Sequence, residues 1–67
     1  MSEWIPVSEG LPDDYGLFII TTIDMESHYP FEKHVYTSDY SPNDGWDSED
    51  SVMRVIAWQP LPEPYRG

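Results

Sequence analysis

Cysteine is absent from this 67-residue chain, so neither a disulfide nor a thiolate metal site can reinforce its core. Basic residues are almost absent too: Lys33, Arg54 and Arg66 stand against thirteen Asp and Glu, for a net charge of −10. Binding to nucleic-acid phosphates or to an anionic membrane surface needs a basic face, so neither is an expected partner. No apolar run approaches the roughly 18 residues that span a bilayer, and the opening residues carry no basic and apolar targeting pattern. The expectation is an unexported, cytoplasmic protein.

Aromatic residues are what the chain has in quantity. Three Trp, five Tyr and two Phe make up 15% of it, and the hydrophobic share of 39% is too high for a disordered segment. Residues 1–67 are read as one small domain. A chain of this size buries only about 60% of its unfolded surface on folding, so stability is expected to be modest and the aromatic rings must supply much of the core.

The stretch Val55-Ile-Ala-Trp-Gln-Pro-Leu-Pro-Glu-Pro64 organises the rest. Its apolar run reads as a strand that enters the core at Trp58, the chief anchor. The prolines at 60, 62 and 64 then hold the chain extended and remove backbone donors. Residues 17–23 are β-branched and apolar at both alternate sets of positions, as a central strand requires. Residues 31–40 alternate, with Phe31, Lys33, Val35 and Thr37 assigned to the core and Glu32, His34, Tyr36 and Ser38 to solvent. Residues 52–59 form the last strand, and 4–7, interrupted by Pro6, can only be an edge.

Ser41-Pro-Asn-Asp-Gly45 is a turn, and one helical turn is expected at Pro12. The fold class is therefore mainly β: a small antiparallel sheet of three to four strands with long loops and an extended Pro-rich C-terminal tail. The expected core is Trp4, Leu17, Ile19, Ile23, Val35, Val55 and Trp58, with Trp46 partly covered; Trp4, Trp46 and Trp58 are the structural anchors. Trp4-Ile-Pro6 is echoed by Trp58-Gln-Pro60, which predicts that the two ends lie close together.

Catalytic chemistry finds little support. The pairs Asp13-Asp14 and Glu49-Asp50 would need a sheltered cleft to drive their pKa values apart, and no nucleophile motif is present, so no enzyme and no cofactor are expected. His28 and His34, with Asp24, Glu26 and Glu32 nearby, match no standard metal spacing. Metal or small-ligand binding is only a minor alternative.

The acids carry the functional reading. Asp44, Asp47, Glu49 and Asp50 crowd one segment and, with Asp13, Asp14 and Asp39, form a candidate docking surface for a protein with a basic surface. The plain alternative is a solvated face that keeps the chain soluble. A second functional alternative is an acidic mimic of nucleic acid that blocks a basic groove. An exposed sheet edge also makes a homodimer possible.

Trp4-x-Pro-Val-Ser-Glu9, Leu11-Pro12 and Trp58-x-Pro-Leu-Pro-Glu-Pro64 resemble the opening and closing motifs of the family catalogued as domain of unknown function 551. An apolar strand like 17–23 and a central tryptophan like Trp46 lie between those motifs in the family. This chain departs at Gly10, Ala57 and Gln59, where members often carry a basic residue, a histidine and a methionine. The resemblance implies a fold type and a phage or prophage setting and supports a small accessory protein, with no catalytic residues to carry over. The functional expectation is a phage or prophage accessory or anti-defence factor, in the bacterial host cytoplasm if phage-encoded.

Overall fold

A computed structural model describes residues 3–66. Five strands form one antiparallel sheet: β1 (Ile5–Pro6), β2 (Gly16–Asp24), β3 (Lys33–Ser41), β4 (Gly45–Trp46) and β5 (Met53–Pro60), in the order β1-β5-β2-β3-β4. The apolar β2 is central, as its two-sided hydrophobicity requires. Pro6 lies on the short edge strand and Pro60 closes β5, positions where a missing amide costs no ladder bond. No helix occurs among the described residues, so the expected helical turn at Pro12 is replaced by bends, and Pro12 itself is buried.

The register decides which side chains share a face. Ile20 pairs with Tyr36 on one side and Trp58 on the other, and Phe18 pairs with Ser38. Because opposed residues point the same way, Phe18, Ile20, Thr22, Tyr36, Ser38, Tyr40 and Trp58 line the core face. The sequence assignment is therefore inverted for most of β3: Lys33, Val35 and Thr37 lie opposite Ile23, Thr21 and Ile19 on the outer face, while Tyr36 and Ser38 face the core. Glu32 and His34 are exposed as expected. Hydrophobicity misled the assignment, because the core of this sheet is aromatic and Val35 is 62% exposed.

A register shift opposite Thr21 and Thr22 brings Val55 and Trp58 onto the same face. In an unbroken strand, residues three apart point to opposite faces. The extra residue at Ile56 resets the alternation, so Val55 opposes Thr22 while Trp58 still opposes Ile20. The Ile56 carbonyl accepts a hydrogen bond from the Val7 amide at 3.0 Å, which carries the first segment past the end of β1.

The buried core consists of Ile20, Tyr40, Trp46 and Val55, with Val7, Phe18, Tyr36 and Trp58 packed against it. Phe18 meets Tyr40, Trp46 and Trp58 edge-to-face, at centroid separations of 6.5, 6.0 and 5.3 Å. Such pairs contribute about 0.5–1.5 kcal/mol each beyond the area they bury. Trp58 acts as an anchor of a particular kind: its indole N–H donates to the Gly10 carbonyl at 3.0 Å, pinning the 7–15 segment across the core face. Trp46, expected to be partly covered, is buried. Trp4 and Leu17, expected in the core, are about half exposed, and Ile19 and Ile23 are half-buried on the outer face.

The one curled sheet has no second layer of helix or strand among the described residues. The radius of gyration is 12.6 Å, against about 10.9 Å for a compact chain of this length. The two Trp-x-Pro motifs do meet, since Ile5 pairs with Trp58 and Pro6 with Ala57. Beyond Pro60, residues 61–66 form no strand and are exposed.

Candidate functional site

The hairpin that joins β3 to β4 builds the most distinctive surface of the molecule. Pro42 and Asn43 turn the chain, the Asn43 amide donates to Ser41 Oγ at 3.3 Å, and Gly45 closes the turn at φ +80°, a left-handed conformation that side chains oppose. Tyr40 then pairs with Trp46, and the Asp47 amide donates to the Asp39 carbonyl at 2.9 Å. Continued by one residue, this register sets Asp47 directly opposite Asp39.

Asp39 also pairs with Leu17 of β2. Leu17 and Asp39 thus sit side by side on the outer face, and Asp47, in the turn just beyond β4, is held against Asp39 by its backbone amide. Around these residues lies an open groove of about 700 Å³, lined by Tyr15, Leu17, Asp39, Tyr40, Asp44 and Trp46, among others, and by Asp47. Tyr15 is 76% exposed. Its position is set by Asp14, whose carboxylate accepts a hydrogen bond from the Tyr15 amide at 2.8 Å. The Trp46 indole N–H is buried with no partner among the described residues.

The seven candidate acids fall into three groups. Asp39, Asp44 and Asp47 line the groove. Asp13 and Asp14 precede its Tyr15 wall. Glu49 and Asp50 are engaged with the backbone: Glu49 Oε2 accepts from the Val55 amide at 2.9 Å and lies 3.8 Å from Arg54 Nε. Asp50 Oδ1 accepts from the amides of Val52 and Met53, both at 2.8 Å. The Met53 bond, followed by that from Val52, holds the Asp50 carboxyl below its ordinary 3.8. These two acids shape the entry into β5.

A further set organises the opposite end. Asp24 Oδ1 accepts from the Glu26 amide at 2.9 Å, and Ser27 Oγ donates to the Asp24 carbonyl at 2.7 Å while accepting from the Glu32 amide at 2.9 Å. Asp24 and Glu32 are thereby parts of a loop closure. No group of three or more His, Asp and Glu placed to hold a metal ion occurs among the described residues. Also among them, no helix is long and apolar enough to cross a membrane.

Sequence reasoning proposed the acids but missed Tyr15 and Leu17 as their neighbours. The signal was present in the turn residues 41–45, which fold Asp44 and Asp47 back towards Asp39. Without the β2–β3 register, nothing placed Leu17 beside them.

The geometry defines a small all-β domain that carries an acidic, aromatic-edged groove at one end of its sheet. The match of residues 3–65 to the family model described as protein of unknown function DUF551 shows that the chain belongs to that family. No curated protein matches the chain. No solved structure matches it either.

Proposed function

We propose that this protein is a non-catalytic binding module whose groove receives a basic side chain or short basic segment of a protein partner. The observation that carries this reading is the pair Asp39 and Asp47. Like charges placed directly opposite one another across two strands destabilise a sheet, and a cation seated between them relieves that repulsion. Asp44 adds a third carboxylate to the lining, and the exposed Tyr15 ring offers a face to a guanidinium or ammonium group. Leu17 supplies apolar surface for the methylene stem of such a side chain. A phage or prophage accessory factor acting on a basic surface of a host protein is the setting this chemistry fits.

Nucleic-acid mimicry asks for a denser field. Thirteen acids over 5212 Å² amount to about one per 400 Å², whereas duplex DNA, with one charge per about 1.7 Å of axis on a cylinder about 20 Å across, carries about one per 110 Å². A local basic anchor suits the groove better than a long basic channel.

The test is a titration of the isotope-labelled protein with a tri-arginine peptide, followed by backbone amide NMR. The reading expects shifts confined to residues 15–17, 39–41 and 44–47, saturating with peptide and fading between about 50 and 200 mM salt. Shifts of equal size at Glu3, Glu9, Glu26 and Glu63 would mean diffuse attraction to a charged surface and would end it.

A further inference from the structure

β3 runs for nine residues, from Lys33 to Ser41, but β4 pairs only with its last two. The Asp47 amide takes one further position by binding the Asp39 carbonyl. Residues 33–38 of β3 therefore have no neighbouring strand on that side among the described residues. Because the Asp39 carbonyl faces β4, the period of two directs the amides and carbonyls of Lys33, Val35 and Thr37 outward as well. The Glu32 carbonyl accepts from the Asp24 amide, so the alternate set faces β2, as this parity requires. Neither a proline nor a bulge blunts the edge, and Val35 on it is 62% exposed.

We propose that this edge pairs with the same edge of a second copy, antiparallel and about a two-fold axis at Val35. Two constraints limit the register, and the longest pairing within β3 that meets both selects it. Pairing must be even-numbered so that outward amides meet outward carbonyls, and it must stop before Asp39, whose outer side Asp47 already occupies. Centring on Val35 satisfies both: Val35 opposes Val35, Lys33 opposes Thr37, and each pair exchanges two hydrogen bonds. Moving the axis to Tyr36 would drive Lys33 into the place of Asp47.

A local charge pair favours this register between two copies of the chain. Two molecules of net charge −10 repel, so their contact needs a cation placed against an acid. Arg54 lies 3.8 Å from Glu49 and Arg66 lies 3.7 Å from Glu63; Lys33 has no ion pair among the described residues. In the proposed register Lys33 of one copy lies diagonally across from Asp39 of the other, on the same outer face and next to Asp47, within reach of a long side chain. The symmetry doubles this contact, as isologous interfaces do. The backbone pairing of the edge does not need the groove's guest, but Lys33 and that guest compete for Asp39 and Asp47.

Sedimentation equilibrium of the full chain across about 0.01–1 mM tests the pairing, with exchange of the Val35 amide followed in parallel. The expected result is a mass rising from 7.8 kDa to twice that value, with Val35 exchange slowing at least tenfold over the same range. Val35→Glu sets two carboxylates against each other at the axis and should stay monomeric with an unchanged circular dichroism spectrum. Lys33→Asp should also be monomeric, and adding Asp39→Lys should restore the dimer. A wild-type mass of one chain throughout the range, or a dimer that persists in Val35→Glu, overturns the proposal. Loss of tri-arginine binding with dimerisation intact would count against the groove and leave the edge standing.

Discussion

The Trp58 ring stands edge-on to Phe18 at 5.3 Å and 80°, while its N–H reaches back to the Gly10 carbonyl. One side chain therefore ties the aromatic cluster to the segment that crosses it. The rest of the cluster radiates from Phe18, which also meets Tyr40 and Trp46.

This arrangement makes Phe18 more costly to lose than its half-buried position suggests. Phe18→Ala is expected to destabilise by about 3–5 kcal/mol, against a total of about 5–15 kcal/mol for a natural domain. Trp58→Phe keeps much of the ring contact and loses the Gly10 bond, at about 0.5–1.5 kcal/mol. Urea unfolding of both variants checks the order. A smaller loss for Phe18→Ala than for Trp58→Phe would place the centre of the cluster elsewhere.

Glu49 separates from the groove acids by its effect on folding. Glu49→Ala leaves the Val55 amide, at a buried residue, without its acceptor, and should cost about 1–3 kcal/mol. Asp44→Ala breaks no side-chain hydrogen bond among the described residues and should stay within about 0.5 kcal/mol of the parent. Chemical denaturation measures both. Neutralising Asp44, Asp47, Glu49 and Asp50 together would therefore confound folding with binding.

Asp50 adds a pH dependence of definite sign. Its folded-state pKa lies below the ordinary 3.8 because two amides bind the carboxylate, so the folded state binds this proton less readily than the unfolded chain. Its contribution to stability is present above 3.8 and is lost as the pH falls through the depressed folded value. Asp50→Asn should accordingly show a lower melting temperature at pH 7, with the gap to the parent closing below pH 3.8. A gap of constant size down to pH 2 would show that the carboxylate charge plays no part.

Much of the strand order was legible because proline and β-branched residues constrain it directly. Pro6 and Pro60 marked strand ends, and residues 17–23 could only be central. Facing was less legible. The residues that fill the core from β3, Tyr36, Ser38 and Tyr40, look more polar than Lys33, Val35 and Thr37 only if rings are discounted, and a thin sheet leaves aliphatic residues such as Val35 and Leu17 on its exposed side. The bulge at Ile56 left no local mark, since Val55-Ile-Ala-Trp58 reads equally well as unbroken strand. The acids were visible as a cluster, but their division depended on backbone amides at Val52, Met53 and Val55, which composition does not locate.

The most direct measurement follows stability and binding in one variant, Asp39→Asn with Asp47→Asn. If the groove keeps two opposed carboxylates for a cationic guest, removing their charge should stabilise the free protein by about 0.2–1 kcal/mol and abolish tri-arginine binding, both read in low salt. Unchanged peptide affinity in this variant, whatever its melting temperature, would contradict the account and return Asp39 and Asp47 to the role of solubility charges.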